Sequence, residues 1–254
     1  MFKAMNAPAL VKFNSQRSMK LIDDIEAFID SQIVSENLEP KHRTFAPSSF
    51  RCPRINWFRL KGVQPDKIET PDRNLKFYAS MGTACHEMLQ GYLSKMDCWY
   101  PMDKFLVDHP LDCEYTSELH GYETRFNVTS PYPIRFACDG ILQLDETCLL
   151  EIKSCSTQSF CELTDPKPQH IDQTKCYCRF LGLRRVIFIY IDRTFGDIKA
   201  YDRKISESDI DEVTKTLDSV MWSVEYDIAP ERLPKGDSWC TSNMCPYYKR
   251  CKSW

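Results

Sequence analysis

The stretch RFACDGILQLDETCLLEIKSCS, residues 135–156, decides the fold and raises the first question about chemistry. Its apolar residues predict two short strands around a polar turn at residues 145–147. An acid, Asp139, interrupts the first strand, and the second ends in Leu-Leu-Glu-Ile-Lys, which places Glu151 and Lys153 in an otherwise apolar run. Because side chains alternate along a strand, Glu151 and Lys153 point to one face, and the short hairpin brings Asp139 alongside them.

Two carboxylates and an ammonium group are costly to bury on one sheet face without a partner. A divalent cation would resolve the cost, because Asp139 and Glu151 supply the hard oxygen ligands that suit Mg²⁺ or Mn²⁺. The carbonyl of Ile152 could be a third ligand, and Lys153 would then hold or deprotonate a water beside the metal. A partly buried salt-bridge cluster explains the same residues equally simply, and on this short pattern alone it is the better interpretation.

The pattern of apolar residues around this hairpin predicts alternating helices and strands. Helices are expected at residues 18–34, 76–96 and 171–181 and from Ser206, where Asp209 completes a capping box; strands are expected at 111–128, 186–191 and 195–202. Residues 35–49 and the last 25 residues are expected to be irregular. Helices before, between and after strands predict an α/β sheet with helices on its faces. The predicted division is a helical segment at 1–75, a core at 76–228 and a cysteine-rich cap at 229–254, integrated into one domain.

The composition is that of an ordinary globular protein, with 43% hydrophobic and 27% charged residues in 254. A net charge of −3 argues against a protein that coats nucleic acid with a broad basic surface, although it does not exclude a nucleic-acid enzyme. The longest apolar run, residues 186–191, is too short to cross a bilayer, and no secretory signal is recognised at the N-terminus. We therefore expect a cytoplasmic protein whose 13 cysteines are buried small hydrophobes or metal ligands, not disulfides.

Two further motifs flank the hairpin. Residues 82–86, Gly-Thr-Ala-Cys-His, put His86 on the second predicted helix, and Gln173 and Tyr177 lie one helical turn apart on the third. The order G-x3-H, D, E-x-K, Q-x3-Y resembles the RecB-type branch of the PD-(D/E)xK nuclease superfamily. The proline that often precedes the acid is replaced here by Cys138, a departure that this branch often shows.

The resemblance implies a restriction-endonuclease-like core with a central mixed sheet flanked by helices. It implies that His86, Asp139 and Glu151 bind the metal and that Lys153 is the catalytic lysine. Gln173 and Tyr177 would orient Lys153 and the substrate phosphate.

Three cysteines near the C-terminus, Cys240, Cys245 and Cys251, look like ligands of a soft metal centre, and Cys52 is the natural fourth. The arrangement resembles the iron–sulfur nucleases of the same branch, which include the AddB nuclease domain and CRISPR-associated exonucleases. The resemblance implies a [4Fe–4S] cluster. The late cysteines are separated by four and then five residues, where the family has two and then five, so a zinc site remains an alternative. The other nine cysteines are expected to be structural.

The function expected from this resemblance is a metal-dependent DNA exonuclease that prefers single strands and degrades them 5′ to 3′. Recombination, repair or phage DNA processing would be its setting, with a helicase, a recombinase or a CRISPR-type protein as partner; the oligomeric state is not predicted. A basic and aromatic C-terminal set could contact DNA or be a solvated tail (Tyr247, Tyr248, Lys249, Arg250, Lys252 and Trp254). A structure-specific endonuclease in a larger complex and a non-catalytic DNA-end-binding subunit remain alternatives.

Overall fold

The structure is a computed structural model that describes residues 16–38, 43–66, 72–242 and 244–253. The helices are α1 (Gln16–Leu38), α2 (Pro53–Leu60), α3 (Arg73–Leu93), α4 (Met102–Asp108), α5 (Thr157–Glu162), α6 (Pro168–Leu181), α7 (Glu207–Glu225) and α8 (Tyr248–Ser253). The strands are β1 (Trp99–Tyr100), β2 (Glu114–His120), β3 (Glu123–Ser130), β4 (Ile134–Cys138), β5 (Gly140–Gln143), β6 (Thr147–Cys155), β7 (Arg185–Asp192) and β8 (Ile198–Lys204). In the described ranges, no helix is long and apolar enough to cross a membrane.

The chain forms two compact units. The described parts of residues 1–39 and 67–78 make the first, in which Arg73 forms ion pairs with Glu26 and Asp30 and so ties the start of α3 to α1. The second contains residues 40–66 and 79–254 and holds every predicted site residue. The division at residues 75 and 228 remains a prediction.

The second unit is built on a five-stranded sheet with the order β1-β5-β6-β7-β8. Its central pair, β6 and β7, is parallel, and the other neighbours are antiparallel, so the sheet is mixed. Parallel neighbours need a long crossover connection, and α5 and α6 provide it. The predicted α/β class with a central mixed sheet and flanking helices is confirmed.

The predicted first strand of the hairpin is wrong in one respect, because it is broken at Asp139. β4 ends at Cys138 and pairs with β3 in a separate three-stranded sheet, whereas β5 starts at Gly140 and pairs with β6. A Cβ atom at Gly140 would lie 2.6 Å from the ring of Trp99, so glycine lets that ring pack close against the start of β5. Asp139 therefore lies between the two sheets and not on a strand.

Other differences from the sequence pattern are local. Residues 111–128 are not one strand, because β2 and β3 form a hairpin that turns at Gly121, whose φ of 66° favours glycine. The short helices α2, α4 and α5 carry too few residues to show a helical period and were not predicted. The capping box of Ser206 and Asp209 at the start of α7 is confirmed.

The two faces of β6 pack against different elements. Leu150 and Ile152 pack against Leu89 of α3. Leu149 faces the core that α6 shares, where Cys176 and Cys178 are fully buried, as expected for structural cysteines. By the alternation of side chains, Glu151 and Lys153 lie on the α6 side of the sheet.

Candidate active site

Asp139 is held in place from two elements. Its carboxylate is buried (5% exposed), and Oδ2 accepts a hydrogen bond of 2.6 Å from the main-chain amide of Ile152. Oδ1 lies 3.3 Å from Nδ1 of His86 on α3. From the next turn of α3, Nε2 of Gln90 donates a 2.8 Å hydrogen bond to the carbonyl oxygen of Asp139. The break between the two sheets thus presents one carboxylate to both α3 and β6.

Glu151 and Lys153 form an ion pair beside Asp139. Glu151 is almost fully buried (1% exposed). Burial raises the pKa of Glu151 to about 7; the charge of Lys153 opposes the rise and that of Asp139 adds to it. Burial lowers the pKa of Lys153, but the carboxylates of Glu151 and Asp139 outweigh it and leave the pKa above its ordinary value. The site therefore combines two buried acids with one retained ammonium charge.

Gln173 and Tyr177 lie on one face of α6, as their spacing predicts. Nε2 of Gln173 donates to the hydroxyl oxygen of Tyr177, and the Tyr177 ring stacks on Phe136 at 4.9 Å between ring centroids. Burial, together with the charges of Glu151 and Asp139, raises the pKa of Tyr177 well above its ordinary value. Tyr177 is therefore a neutral hydroxyl group near the acids. The orienting role of both residues toward Lys153 remains a prediction.

A divalent cation such as Mg²⁺ needs several oxygen ligands around one point. Among the described residues, no three His, Cys, Asp or Glu side chains are arranged so as to hold a metal ion, and the cation next to Glu151 is the ammonium of Lys153. The donor set nevertheless suits Mg²⁺ or Mn²⁺, because two buried carboxylates converge here with excess negative charge. The amide and carbonyl of a strand residue project to the same side, so the Ile152 carbonyl lies on the Asp139 side of β6. The residues fit such an ion if Lys153 moves away from Glu151.

Three residues of this region were not found from the sequence. Gln90 follows His86 by one helical turn, a spacing that could have identified it. Tyr190 pairs with Lys153 in the β6–β7 register, and its hydroxyl lies 2.7 Å from Nδ1 of His170. Burial lowers the pKa of His170 to about 3, and the charge of Lys153 contributes, so the imidazole is neutral. No sequence pattern marked His170 or Tyr190.

The four predicted cysteine ligands line one cavity of about 20 Å³ at the N-terminus of α2 and in the C-terminal segment (Cys52, Cys240, Cys245 and Cys251). Burial raises the pKa of Cys245 to about 11, and the three other cysteines add to the rise. Burial also raises the pKa of Cys52, which the main-chain amides of Ile55 and Arg54 counteract. The structure therefore brings the four cysteines together across nearly 200 residues of sequence.

Two polar groups beside this cavity, one nitrogen and one hydroxyl, have no hydrogen-bond acceptor within the described ranges. Nε of Arg54 and the hydroxyl of Tyr247 belong to residues that line the cavity, and in the described part of the chain both atoms are buried without a hydrogen-bond partner. A buried cation without an anion is costly. Four thiolates on a metal would carry negative charge, so the chemistry of these donors suits a metal–thiolate centre, either [4Fe–4S] or zinc, but among the described residues the side chains are not arranged to hold a metal ion.

The C-terminal set expected to contact DNA is partly buried. Tyr247 is 1% exposed and stacks on Phe58 with 5.0 Å between ring centroids, so its ring cannot stack on a base. Lys252 lies 4.3 Å from the centre of the Tyr248 ring, and Trp254 falls outside the described residues. The prediction that Tyr247 could stack on a base of DNA is therefore wrong.

No protein-family model matches the sequence, and no curated protein matches it. Among solved structures, the chain is similar to the alkaline exonuclease LHK-Exo from Laribacter hongkongensis, with 14% identity, a TM-score of 0.48, and coverage of 76% of this chain and 94% of that one. A structure of LHK-Exo in complex with dAMP gives 15% identity, a TM-score of 0.47, and coverage of 78% and 94%. SSO0001 gives 16% identity, a TM-score of 0.45, and coverage of 89% and 96%. Similarities at these TM-scores do not assign a family, so the function is judged from the side chains of the site.

Proposed function

We propose that the protein is a metal-dependent deoxyribonuclease that hydrolyses phosphodiester bonds from the end of single-stranded DNA, in the 5′ to 3′ direction. The observation that carries the proposal is the placement of Asp139 against the Ile152 amide, beside the ion pair of Glu151 and Lys153. A salt-bridge cluster that served stability alone would not need a second buried acid next to Glu151, because the repulsion between the two carboxylates opposes folding.

A bound Mg²⁺ or Mn²⁺ ion would polarise the scissile phosphate and lower the pKa of a water molecule. Asp139 and Glu151 would hold the ion with His86 and the Ile152 carbonyl; the contacts of Asp139 with His86 on α3 and with the Ile152 amide on β6 support this ligand set. If Glu151 bound the ion, Lys153 would lose its partner, and its ammonium would be free to hold the attacking water or a phosphate oxygen. In this proposal, the break between β4 and β5 places Asp139 where it would bind the ion together with Glu151.

Tyr177 would add a second contact to the phosphate. The hydroxyl oxygen of Tyr177 already accepts a hydrogen bond from Gln173, so its own proton is free to be donated. A neutral donor next to two acids suits a phosphate oxygen. In this role Gln173 orients Tyr177, which in turn orients the substrate.

The cysteine cavity would hold a [4Fe–4S] cluster that joins the segment at Cys52 to the C-terminal segment. The buried, unpaired Nε of Arg54 supports this proposal, because a negatively charged centre would give it an acceptor. A zinc ion bound by four thiolates would also carry negative charge, so zinc remains the alternative. Such a nuclease would act in the cytoplasm, in recombination, repair or phage DNA processing, with a helicase, recombinase or CRISPR-type protein as partner.

The proposed activity is tested with end-labelled single- and double-stranded DNA in Mg²⁺ or Mn²⁺. The wild type should release label, the Lys153→Ala variant should not, and the Lys215→Ala variant, which changes an exposed lysine of α7, should match the wild type. Cleavage that survives Lys153→Ala in protein free of other nucleases would contradict the proposal. Tight binding to DNA ends without cleavage by the wild type would favour the non-catalytic subunit.

A further inference from the structure

The tip of the β2–β3 hairpin borders the proposed active site. In the β3–β4 register Thr124 pairs with Cys138, so the preceding residue, Glu123, comes opposite Asp139. His120 pairs with Glu123 across the hairpin, which leaves Gly121 and Tyr122 as a two-residue turn. A two-residue turn fixes the register, so the tip cannot slide along Asp139.

The electrostatic surroundings of Lys153 agree with the position of Glu123 near Asp139. Burial lowers the pKa of Lys153, and the Glu123 carboxylate acts with those of Glu151 and Asp139 to raise it. Glu123 itself forms an ion pair of 2.9 Å with Arg125 on the same strand. The hairpin tip therefore lies within electrostatic reach of the proposed catalytic lysine.

Tyr122 bridges from this tip to α3. A Cβ atom at Gly91 would lie 3.5 Å from Cε2 and 3.5 Å from the hydroxyl oxygen of Tyr122. Gly91 directly follows Gln90, whose side chain holds the main chain of Asp139. One edge of the ring thus rests on α3 at the residue that follows Gln90, while 41% of Tyr122 remains exposed.

We propose that the exposed face of Tyr122 stacks on a base of single-stranded DNA whose neighbouring phosphate lies at Asp139, Glu151 and Lys153. This inference rests on the proposed nuclease function and names the residue that selects an unpaired base. Every base has a flat π-face, so such a contact tolerates any sequence. A base that remains paired in a duplex has no free face to offer, which gives the site a preference for single strands.

The test measures binding separately from cleavage. A fluorescent single-stranded oligonucleotide is titrated with the Lys153→Ala protein in Mg²⁺, and fluorescence anisotropy gives its Kd. Adding Tyr122→Leu should weaken binding about 5- to 100-fold, the range expected for loss of one base–aromatic stack. Tyr122→Phe should keep the affinity, and Tyr226→Leu, which changes an exposed tyrosine outside the site, should also keep it.

A second arm uses oligonucleotides with one abasic position moved along the strand. With Tyr122 present, one abasic position should weaken binding as much as Tyr122→Leu does, and the two losses should not add. Unchanged affinity in the Tyr122→Leu variant, or additive losses at every abasic position, would overturn the stacking. Either result leaves the nuclease proposal intact if the wild type still cleaves, whereas a wild type that neither binds nor cleaves DNA removes both.

Discussion

Gln90 donates a 2.8 Å hydrogen bond to the main-chain oxygen of Asp139, and this contact ties the proposed metal ligand to the helix that carries His86. The side chain of Gln90 is buried. Asp139 lies at the break between the two sheets and belongs to neither strand, so Gln90 supplies the donor for its main-chain oxygen. A supporting contact of this kind sets the position of a ligand as well as the stability of the fold.

We expect Gln90→Ala to lower the free energy of unfolding by about 1–3 kcal/mol, because it leaves the Asp139 carbonyl buried without a donor. It should also raise the Mg²⁺ concentration needed for half-maximal cleavage about 10- to 100-fold. Urea unfolding and a Mg²⁺ titration measure the two effects. Gln158→Ala, which removes an exposed glutamine of α5, is the matched control and should change neither. Wild-type values in the Gln90→Ala variant would show that the contact is incidental.

Substitution of Asp139 and Lys153 should abolish cleavage and preserve the fold. Asp139→Asn is the more informative variant than Asp139→Ala, because the Asn carbonyl can still accept the hydrogen bond of the Ile152 amide. Losing Lys153 should slow cleavage about 10²- to 10³-fold, the usual contribution of one donor that stabilises the charge of the transition state. Circular dichroism and thermal unfolding check the fold. Cleavage at the wild-type rate in both variants would discard the site.

Much of this site follows from residue spacing alone. The i, i+2 pair of Glu151 and Lys153 and the i, i+4 pair of Gln173 and Tyr177 share faces because strand and helix periods are fixed. The break at Asp139 was not predictable, since the strands on its two sides belong to different sheets and their pairing rests on tertiary contacts, such as that of Gly140 with Trp99, 41 positions away in the sequence. His170 was missed for the same reason: its burial beside Tyr190 is a tertiary contact, and a lone histidine carries no period.

The cysteine cavity predicts a coloured protein. Protein purified without oxygen should be brown, with broad visible absorption that reductant bleaches, and Cys245→Ser should lose the colour and stability. The loss of stability is expected because a link from residue 52 to residues 240–251 closes a loop of most of the chain. Colourless protein with one zinc per chain would replace the cluster by a zinc site. A Cys245→Ser variant that contains no metal and is as stable as the purified wild type would remove both.

Arg54 provides a sharper test of the same cavity. Arg54→Met keeps the apolar stem of the side chain but removes its charge, so it should lower the metal content of the purified protein and shift the reduction potential of the remaining cluster downward. Arg54→Lys retains the charge and should be intermediate, while Arg232→Met, at an exposed arginine of the same cavity, should behave as wild type. Unchanged metal content and potential in Arg54→Met would show that the buried Nε has another partner.

Stability should fall in acid because of His170. The pKa of His170 in the folded protein is about 3, below the ordinary value of 6.5, so the unfolded chain binds more protons between these two values. The contribution of His170 to the free energy of unfolding should therefore decrease as the pH falls from about 6.5 toward 3, whereas Glu151, whose pKa is raised to about 7, contributes in the opposite direction. Urea unfolding at several pH values should show a smaller decrease for His170→Asn, whose amide can replace the Nδ1 contact with Tyr190. His120→Asn, at an exposed histidine, is the control, and equal slopes for His170→Asn and wild type would contradict the prediction.

Cleavage from an end is the last expectation, and a closed circle of single-stranded DNA tests it. In the proposed arrangement, the ring of Tyr122 against Gly91 would bound the site on the side of α3, which would favour the entry of a free strand end over that of a continuous strand. We expect a linear strand to be degraded and a circle of the same sequence and length to persist under the same conditions. A linear strand blocked at its 5′ end should be protected if degradation runs 5′ to 3′, and one blocked at its 3′ end should be degraded normally. Protection by the 3′ block alone would reverse the polarity and keep the exonuclease. Equal cleavage of circle and linear strand would make the protein an endonuclease, and its products would then be sequenced to find whether particular structures are cut.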